Sequence, residues 1–164
     1  MERKKHGARP GSWHRISKGK HQIESFQQKI GSKVQFMSQK NCVIILGMHR
    51  SGTSALAGCL NLMGFNLGKT LIPGDEDNQT GYFQNQDISL AHDILLRDLG
   101  WSWDKVGNLP QGWQDSQAAH QAEETLLGIL QRQFMTEDMP FAIKDHRMCR
   151  LMPLWKRIMD RLNL

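Results

Sequence analysis

The feature that most constrains the fold is a short apolar run that leads directly into a glycine-rich loop. The run, Cys42-Val43-Ile44-Ile45-Leu46, is rich in β-branched residues and is typical of a strand buried on both faces. The loop begins at Gly47 and ends at Gly52. Small residues recur from Thr53 to Leu62, which predicts a helix that can pack closely against a sheet. The sequence therefore predicts a strand, a loop and a helix in immediate succession.

The rest of the chain adds helices and one more strand. Apolar residues recur at helical spacing over 87–99, 116–135 and 151–162. Residues 141–143 form a second short apolar run with strand character. This order predicts an α/β fold with a parallel sheet flanked by helices. Two strands are fewer than a sheet usually contains, so we expect an incomplete sheet in a chain that stops within the fold.

The charge divides the chain into two parts. Residues 1–40 have a charge balance of +8 and few apolar residues, whereas residues 41–164 have a balance of −3. A segment with so little apolar surface cannot offset its ordering entropy. We therefore expect a basic, disordered arm over 1–40, with a short amphipathic helix possible over 22–37, and a folded domain over 41–164. The net charge of +5 reflects this arm and indicates no specific nucleic-acid partner.

Cysteine usage and hydropathy bear on the compartment. The three cysteines are an odd number without a C-x-x-C pair or metal-ligand spacing, which favours a reducing environment. No apolar run approaches the roughly 18 residues of a membrane span. The basic N-terminus lacks the apolar segment of a secretory signal. The sequence thus predicts a cytoplasmic protein with no membrane span and no bound metal.

The loop has the spacing of a Walker A phosphate-binding loop, with four residues between Gly47 and Gly52-Thr53-Ser54. Glycines let the backbone N–H groups turn inward, and with the N-terminus of a helix they bind an anion. Thr53 stands in the position of the Walker lysine, and Arg50 supplies positive charge instead. The sheet is therefore predicted to be of the P-loop type, with a loop poorly suited to Mg-ATP.

Three motifs resemble the bacterial sulfotransferase family in the same order. Residues 47–54, G-M-H-R-S-G-T-S, resemble the loop that holds the 5′-phosphosulfate of 3′-phosphoadenosine-5′-phosphosulfate (PAPS). Residues 77–85, D-N-Q-T-G-Y-F-Q-N, are similar to the family's D-N-x-x-G-Y-F-E-N. Residues 142–155 are similar to its K-D-P-R-x-C-x-L-x-P-x-W segment. The resemblance covers residues 42–164.

The resemblance implies roles for individual residues. Lys144 matches a lysine beside the transferring sulfuryl group, and Arg50 takes the place of a loop lysine or arginine with a catalytic role. His146 corresponds to the histidine base of cytosolic sulfotransferases, which have K-T-H there, and an imidazole suits a base at neutral pH. His49 is expected to act through its backbone. The residues implied to bind the cofactor are Met48, His49, Arg50, Ser51, Gly52, Thr53 and Ser54.

The chain departs from the family pattern at three points. The bacterial family usually has proline where this chain has His146, and glutamate where it has Gln84. Glutamine cannot take a proton, so an acid or base role is lost at that position. The family also has a later strand with an arginine and a serine that bind the 3′-phosphate. That strand is expected after the helix containing Trp155, and the sequence ends at Leu164.

Three functions remain open at this point. The first is sulfuryl transfer from PAPS to a hydroxyl or amine of a small-molecule or saccharide acceptor. The second is an inactive, truncated sulfotransferase fragment. The third, a P-loop kinase or NTPase, is disfavoured by Thr53 in the lysine position and by the lack of an evident Mg-binding aspartate strand.

The remaining aromatic residues and histidines are expected to be structural. Trp101, Trp103 and Trp113 are expected to pack, with an acceptor pocket in the variable segment 100–115 as the alternative. Histidines other than His49 and His146 are expected to be solvated.

Overall fold

The computed structural model describes residues 41–76 and 78–164. The disordered arm expected over 1–40, the short helix within it, and Asp77 of the second motif lie outside these residues. The described elements are, in chain order, β1 Cys42–Ile45, α1 Thr53–Leu62, α2 Gln86–Asp98, a 3₁₀ helix Trp113–Asp115, α3 Gln117–Gln133, β2 Phe141–Lys144 and α4 Met148–Leu162.

The two strands form a parallel pair. Their register places Cys42 opposite Phe141 and Ile45 opposite Lys144. On the edge of β2 that faces away from β1, Asn66 forms an isolated parallel bridge with Phe141. The Ala142 N–H donates to the Asn66 carbonyl there, at 2.9 Å. The described residues thus combine helices with a small parallel sheet, which agrees with the α/β prediction at this level.

The core lies between the sheet and three helices. α2 packs against α3, and α3 packs against α4. Each fully buried leucine or aromatic side chain contributes about 1.5–3 kcal/mol to folding. The largest fully buried side chains include Trp155, Phe134, Phe141, Leu95, Leu96, Leu126, Leu130 and Leu154.

Capping side chains set where two helices begin. Asn85 Oδ1 accepts hydrogen bonds from the Asp87 and Ile88 N–H groups at the start of α2, both at 3.1 Å. Ser116 Oγ accepts from the Ala119 N–H at 3.2 Å at the start of α3. Such caps satisfy N–H groups that have no partner within the helix and contribute about 1 kcal/mol each.

α4 begins earlier than its apolar pattern predicts. The Met148 N–H donates to the Asp145 carbonyl at 3.1 Å, so the turn after β2 winds directly into the helix. Pro153 lies inside α4, where it lacks an N–H donor. The observed start is therefore three residues before the expected Leu151.

Among residues 41–76 and 78–164, no helix is long and apolar enough to cross a membrane.

Candidate functional site

The loop after β1 and the end of β2 meet at one edge of the sheet. Because the strands are parallel and Ile45 pairs with Lys144, residues that follow β1 lie beside the end of β2. A cavity of about 890 Å³ opens there. Its walls come from the loop, α1, the segment 78–83 and Lys144. The residues assigned to the site from sequence that line it are His49, Arg50, Gly52, Thr53, Ser54 and Lys144.

Three assigned residues lie away from the cavity wall. Met48, Ser51 and His146 are not among the described residues that line it. Ser51 instead holds the loop together, since its Oγ donates to the Met48 carbonyl at 2.6 Å. The loop therefore combines residues that face the cavity with residues that shape the backbone.

Left-handed backbone conformations and a closely packed glycine shape the loop after β1. Arg50 has φ of 63° and Gly52 has φ of 83°, both in the left-handed region. Gly47 is required for packing, because a Cβ there would lie 2.6 Å from Thr53 Cγ2. Gly52 occupies the capping position before α1 and has no side chain that could accept a hydrogen bond from the first N–H groups of the helix. The first N–H groups of α1 thus lie beside the cavity without a capping side chain and can donate to an anion.

Lys144 joins three parts of the chain. Its Nζ donates to Ser54 Oγ at 3.4 Å, to the Tyr82 carbonyl at 3.3 Å and to Gln84 Oε1 at 3.3 Å. Burial lowers the pKa of the Lys144 ammonium, and the neighbouring Asp145 carboxylate partly offsets this effect. Lys144 is therefore held with its nitrogen at the start of α1, next to the loop.

Asp145 lies beneath Lys144 and is fully buried. Its carboxylate accepts hydrogen bonds from Gln84 Nε2 at 2.8 Å, Ser89 Oγ at 2.9 Å and the Arg147 N–H at 2.8 Å. Arg147 Nη1 also lies 3.2 Å from it. Gln84 thus bridges Asp145 and Lys144 through the two ends of one amide, an arrangement that a glutamate could not make without bringing two carboxylates together.

The pKa of Asp145 is held well below its usual range. Burial acts to raise the pKa, but hydrogen bonding with His92 and the charge and backbone N–H of Arg147 outweigh it. The carboxylate is therefore ionised at neutral pH despite its burial.

His92 completes this buried network. Trp155 Nε1 donates to His92 Nε2 at 2.9 Å, and His92 Nδ1 lies 3.5 Å from Asp145 Oδ2. The expectation that His92 is solvated is wrong, because it is fully buried. The signal was present in the sequence: Ser89 and His92 are polar residues on the apolar face of α2.

His146 lies behind His49. The two imidazole rings are 4.0 Å apart, and Trp103 contacts both, at 4.9 Å from the His49 ring and 5.4 Å from the His146 ring. Burial is the main cause that lowers the pKa of His146 to about 4, and the charges of Arg147, His49 and Lys144 lower it further against the opposing effect of Asp145. The role of His146 as a base stays a prediction.

The three tryptophans differ in their environment. Trp113 is buried in the core, and Trp101 is partly buried and packs against the core, as expected. Trp103 is 43% exposed, so the packing expectation is wrong for this residue. It lies next to the site rather than within the core.

The chain matches no protein-family model, no curated protein and no solved structure in the comparisons made. Within the part of the chain that the structure describes, no three His, Cys, Asp or Glu residues are grouped so that they could hold a metal ion. The functional assignment therefore depends on the geometry and charge of the cavity itself. Arg50, Lys144 and the start of α1 suit an anionic group such as a phosphate or sulfate.

Proposed function

We propose that the cavity binds PAPS and that the protein transfers its sulfuryl group to a hydroxyl or amine of a small-molecule or saccharide acceptor. In this proposal the chain is a member of the bacterial sulfotransferase family with a P-loop-type sheet. The observation that carries it is the meeting of Lys144 Nζ and Ser54 Oγ at 3.4 Å, on the wall that also contains Arg50.

The charges at this wall match those of the reaction. Negative charge develops on the oxygen that bridges sulfur and the 5′-phosphate as the bond between them breaks. Positive groups and N–H donors that are already in position stabilise this charge without reorganisation. Arg50, Lys144 and the N–H groups of Gly52, Thr53 and Ser54, which line the cavity, would supply them.

The size of the cavity supports a ligand larger than a lone anion. A volume of about 890 Å³ lies at the upper end of the range of roughly 300–1,000 Å³ typical of small-molecule sites. Its wall along α1 includes Gly58, where a Cβ would lie 3.2 Å from the Phe83 ring. Asn78, Thr80 and Tyr82 also line the cavity and add polar groups.

Calorimetric titration of the full chain with 3′,5′-ADP and with Mg-ATP tests the proposal. We expect 3′,5′-ADP, the product left by PAPS, to bind and Mg-ATP to bind more weakly. Lys144→Met and Arg50→Gln should each weaken 3′,5′-ADP binding about 10- to 100-fold, since each removes one charge-assisted contact. Lys156→Met is the matched control, because Lys156 is exposed on α4.

The outcomes separate the alternatives. Preferential binding of Mg-ATP would favour the kinase or NTPase and overturn the proposal. Binding of neither nucleotide would also overturn it. Binding of 3′,5′-ADP without release of sulfate from ³⁵S-labelled PAPS, and without transfer of the label to any acceptor supplied, would favour a binding protein that does not turn over.

A further inference from the structure

The two imidazoles beside the cavity differ in what they can reach. His146 is 9% exposed, and its Nε2 is buried without a hydrogen-bond partner in residues 41–76 and 78–164. Its Nδ1 lies on the other side of the ring, 3.9 Å from Asp145 Oδ1. Nε2 of His146 is therefore closed to a molecule in the cavity, and His146 is not among the described residues that line the cavity.

His49 lies between His146 and the cavity. It is an exposed residue and lines the cavity with Arg50, Ser54 and Lys144. The His146 ring packs 4.0 Å behind it, and the Trp103 ring meets it nearly edge-on at 4.9 Å. These two rings support the imidazole from behind while its open side faces the cavity.

We propose that His49, rather than His146, is the catalytic base that contacts the acceptor and takes its proton. The inference depends on the sulfuryl transfer proposed above. The acceptor oxygen forms a bond to sulfur, and its proton passes to the free nitrogen lone pair of His49. The bond between sulfur and the 5′-phosphate oxygen breaks, and its electron pair leaves with 3′,5′-ADP. The resulting imidazolium returns its proton to water, to which His49 is exposed.

His146 then acts as a positioning residue. Its depressed pKa, about 4, keeps it neutral at neutral pH, so it supports the His49 ring without adding a second positive charge. The charged and titratable groups on the surrounding elements are Arg50 on the loop, Lys144 at the end of β2, Asp145 directly after β2, and Arg147 beyond them. The segment after α2 also carries Asp104 and Lys105.

The reaction with water as acceptor tests the inference without knowledge of the natural acceptor. Release of ³⁵S-sulfate from labelled PAPS is followed between pH 5 and 9. The wild-type rate should fall on the acid side, because a protonated imidazole cannot take the proton of the acceptor. His49→Ala should lower the rate about 10²- to 10⁴-fold, remove this acid limb, and recover part of the rate when free imidazole is added.

Binding of 3′,5′-ADP separates this inference from the proposed function. His49→Ala should bind 3′,5′-ADP within about threefold of the wild-type affinity, since the loop backbone is retained. His146→Gln should keep an acid limb even if its rate falls. If that variant does not fold, ring NMR signals of the wild type should show the His49 imidazole, not the His146 imidazole, shifting when PAPS is added.

Two results would overturn the inference while leaving the proposed function intact. One is an acid limb that persists in His49→Ala, and another is an NMR shift confined to His146. A wild-type protein that binds 3′,5′-ADP but neither releases labelled sulfate nor transfers the label to an acceptor would overturn the inference together with the proposed sulfuryl transfer. Failure of the wild type to bind 3′,5′-ADP would instead overturn the proposed function.

Discussion

Asparagine in place of Asp145 tests the buried network beneath Lys144. The carboxylate accepts from Gln84, Ser89 and Arg147 at 2.8–2.9 Å and is closed to solvent. An asparagine of the same shape keeps one carbonyl oxygen and replaces the other with an NH₂ donor. Either the Gln84 and Ser89 donors or the Arg147 donors then face another donor.

The expected loss of unfolding free energy is about 3 kcal/mol. Breaking a buried ion pair by removing one partner costs roughly 3–5 kcal/mol. The lower end applies because Arg147 keeps a second partner: its Nε and Nη2 lie 2.6 and 2.8 Å from the Asp93 carboxylate. A loss of this size is a large part of the roughly 5–15 kcal/mol that stabilises a domain.

Urea unfolding of the full chain at pH 7 measures this loss. At a typical slope of about 1–3 kcal/mol/M, the midpoint of Asp145→Asn should fall by about 1–3 M. Asp93→Asn is the matched control. The Asp93 side chain is 47% exposed, so its pair with Arg147 should contribute no more than about 1 kcal/mol. A loss for Asp145→Asn no greater than that of Asp93→Asn would refute the reasoning.

The difference in unfolding free energy between the wild type and Asp145→Asn should depend on pH. The pKa of Asp145 is depressed in the folded state, so its contribution is fully present above the unfolded pKa of about 3.9. It is lost progressively as the pH falls below that value towards the folded pKa. The stability difference between wild type and Asp145→Asn should therefore narrow below about pH 4. A difference that stays constant in acid would contradict an ionised Asp145.

Two further predictions concern packing and thiol chemistry. Gly68 has φ of 88°, and a Cβ there would lie 2.4 Å from Asn85 Nδ2 and 2.7 Å from Phe134 Cζ, so Gly68→Ala should lower the melting temperature. Gly64→Ala, with φ of 92° and open space, should show a smaller drop, and equal drops would contradict the steric argument. Burial raises the pKa of the Cys42 thiol to about 12, so alkylation at pH 8 followed by mass spectrometry should modify the exposed Cys59 far faster than Cys42.

Local patterns were sufficient to predict the main elements. The apolar run at Cys42–Ile45 and the spacing of small residues in Thr53–Leu62 each occupy a few consecutive positions, and β1 and α1 form there. The start of α4 was placed too late. Its first turn forms because the Met148 N–H donates a hydrogen bond to the Asp145 carbonyl. The spacing of apolar residues does not predict this hydrogen bond.

The candidate site was predictable only in part. Arg50, Ser54 and Lys144 were assigned from motifs, and the structure brings them to one wall of the cavity. Asp145 was given no role, because nothing in the linear pattern indicates that it becomes fully buried and meets His92, which lies 53 positions earlier in the sequence. The side-chain contacts between them exist only after α2 packs against the end of β2.

The sequence by itself determined the order of strand, loop and helix, since this order follows from local backbone preferences and glycine positions. Only the tertiary structure decided the surroundings of the two imidazoles. Whether a histidine faces the cavity or lies behind another ring depends on how the loop after β1, the end of β2 and the segment holding Trp103 pack together. That packing places His49 on the cavity wall and His146 beneath it.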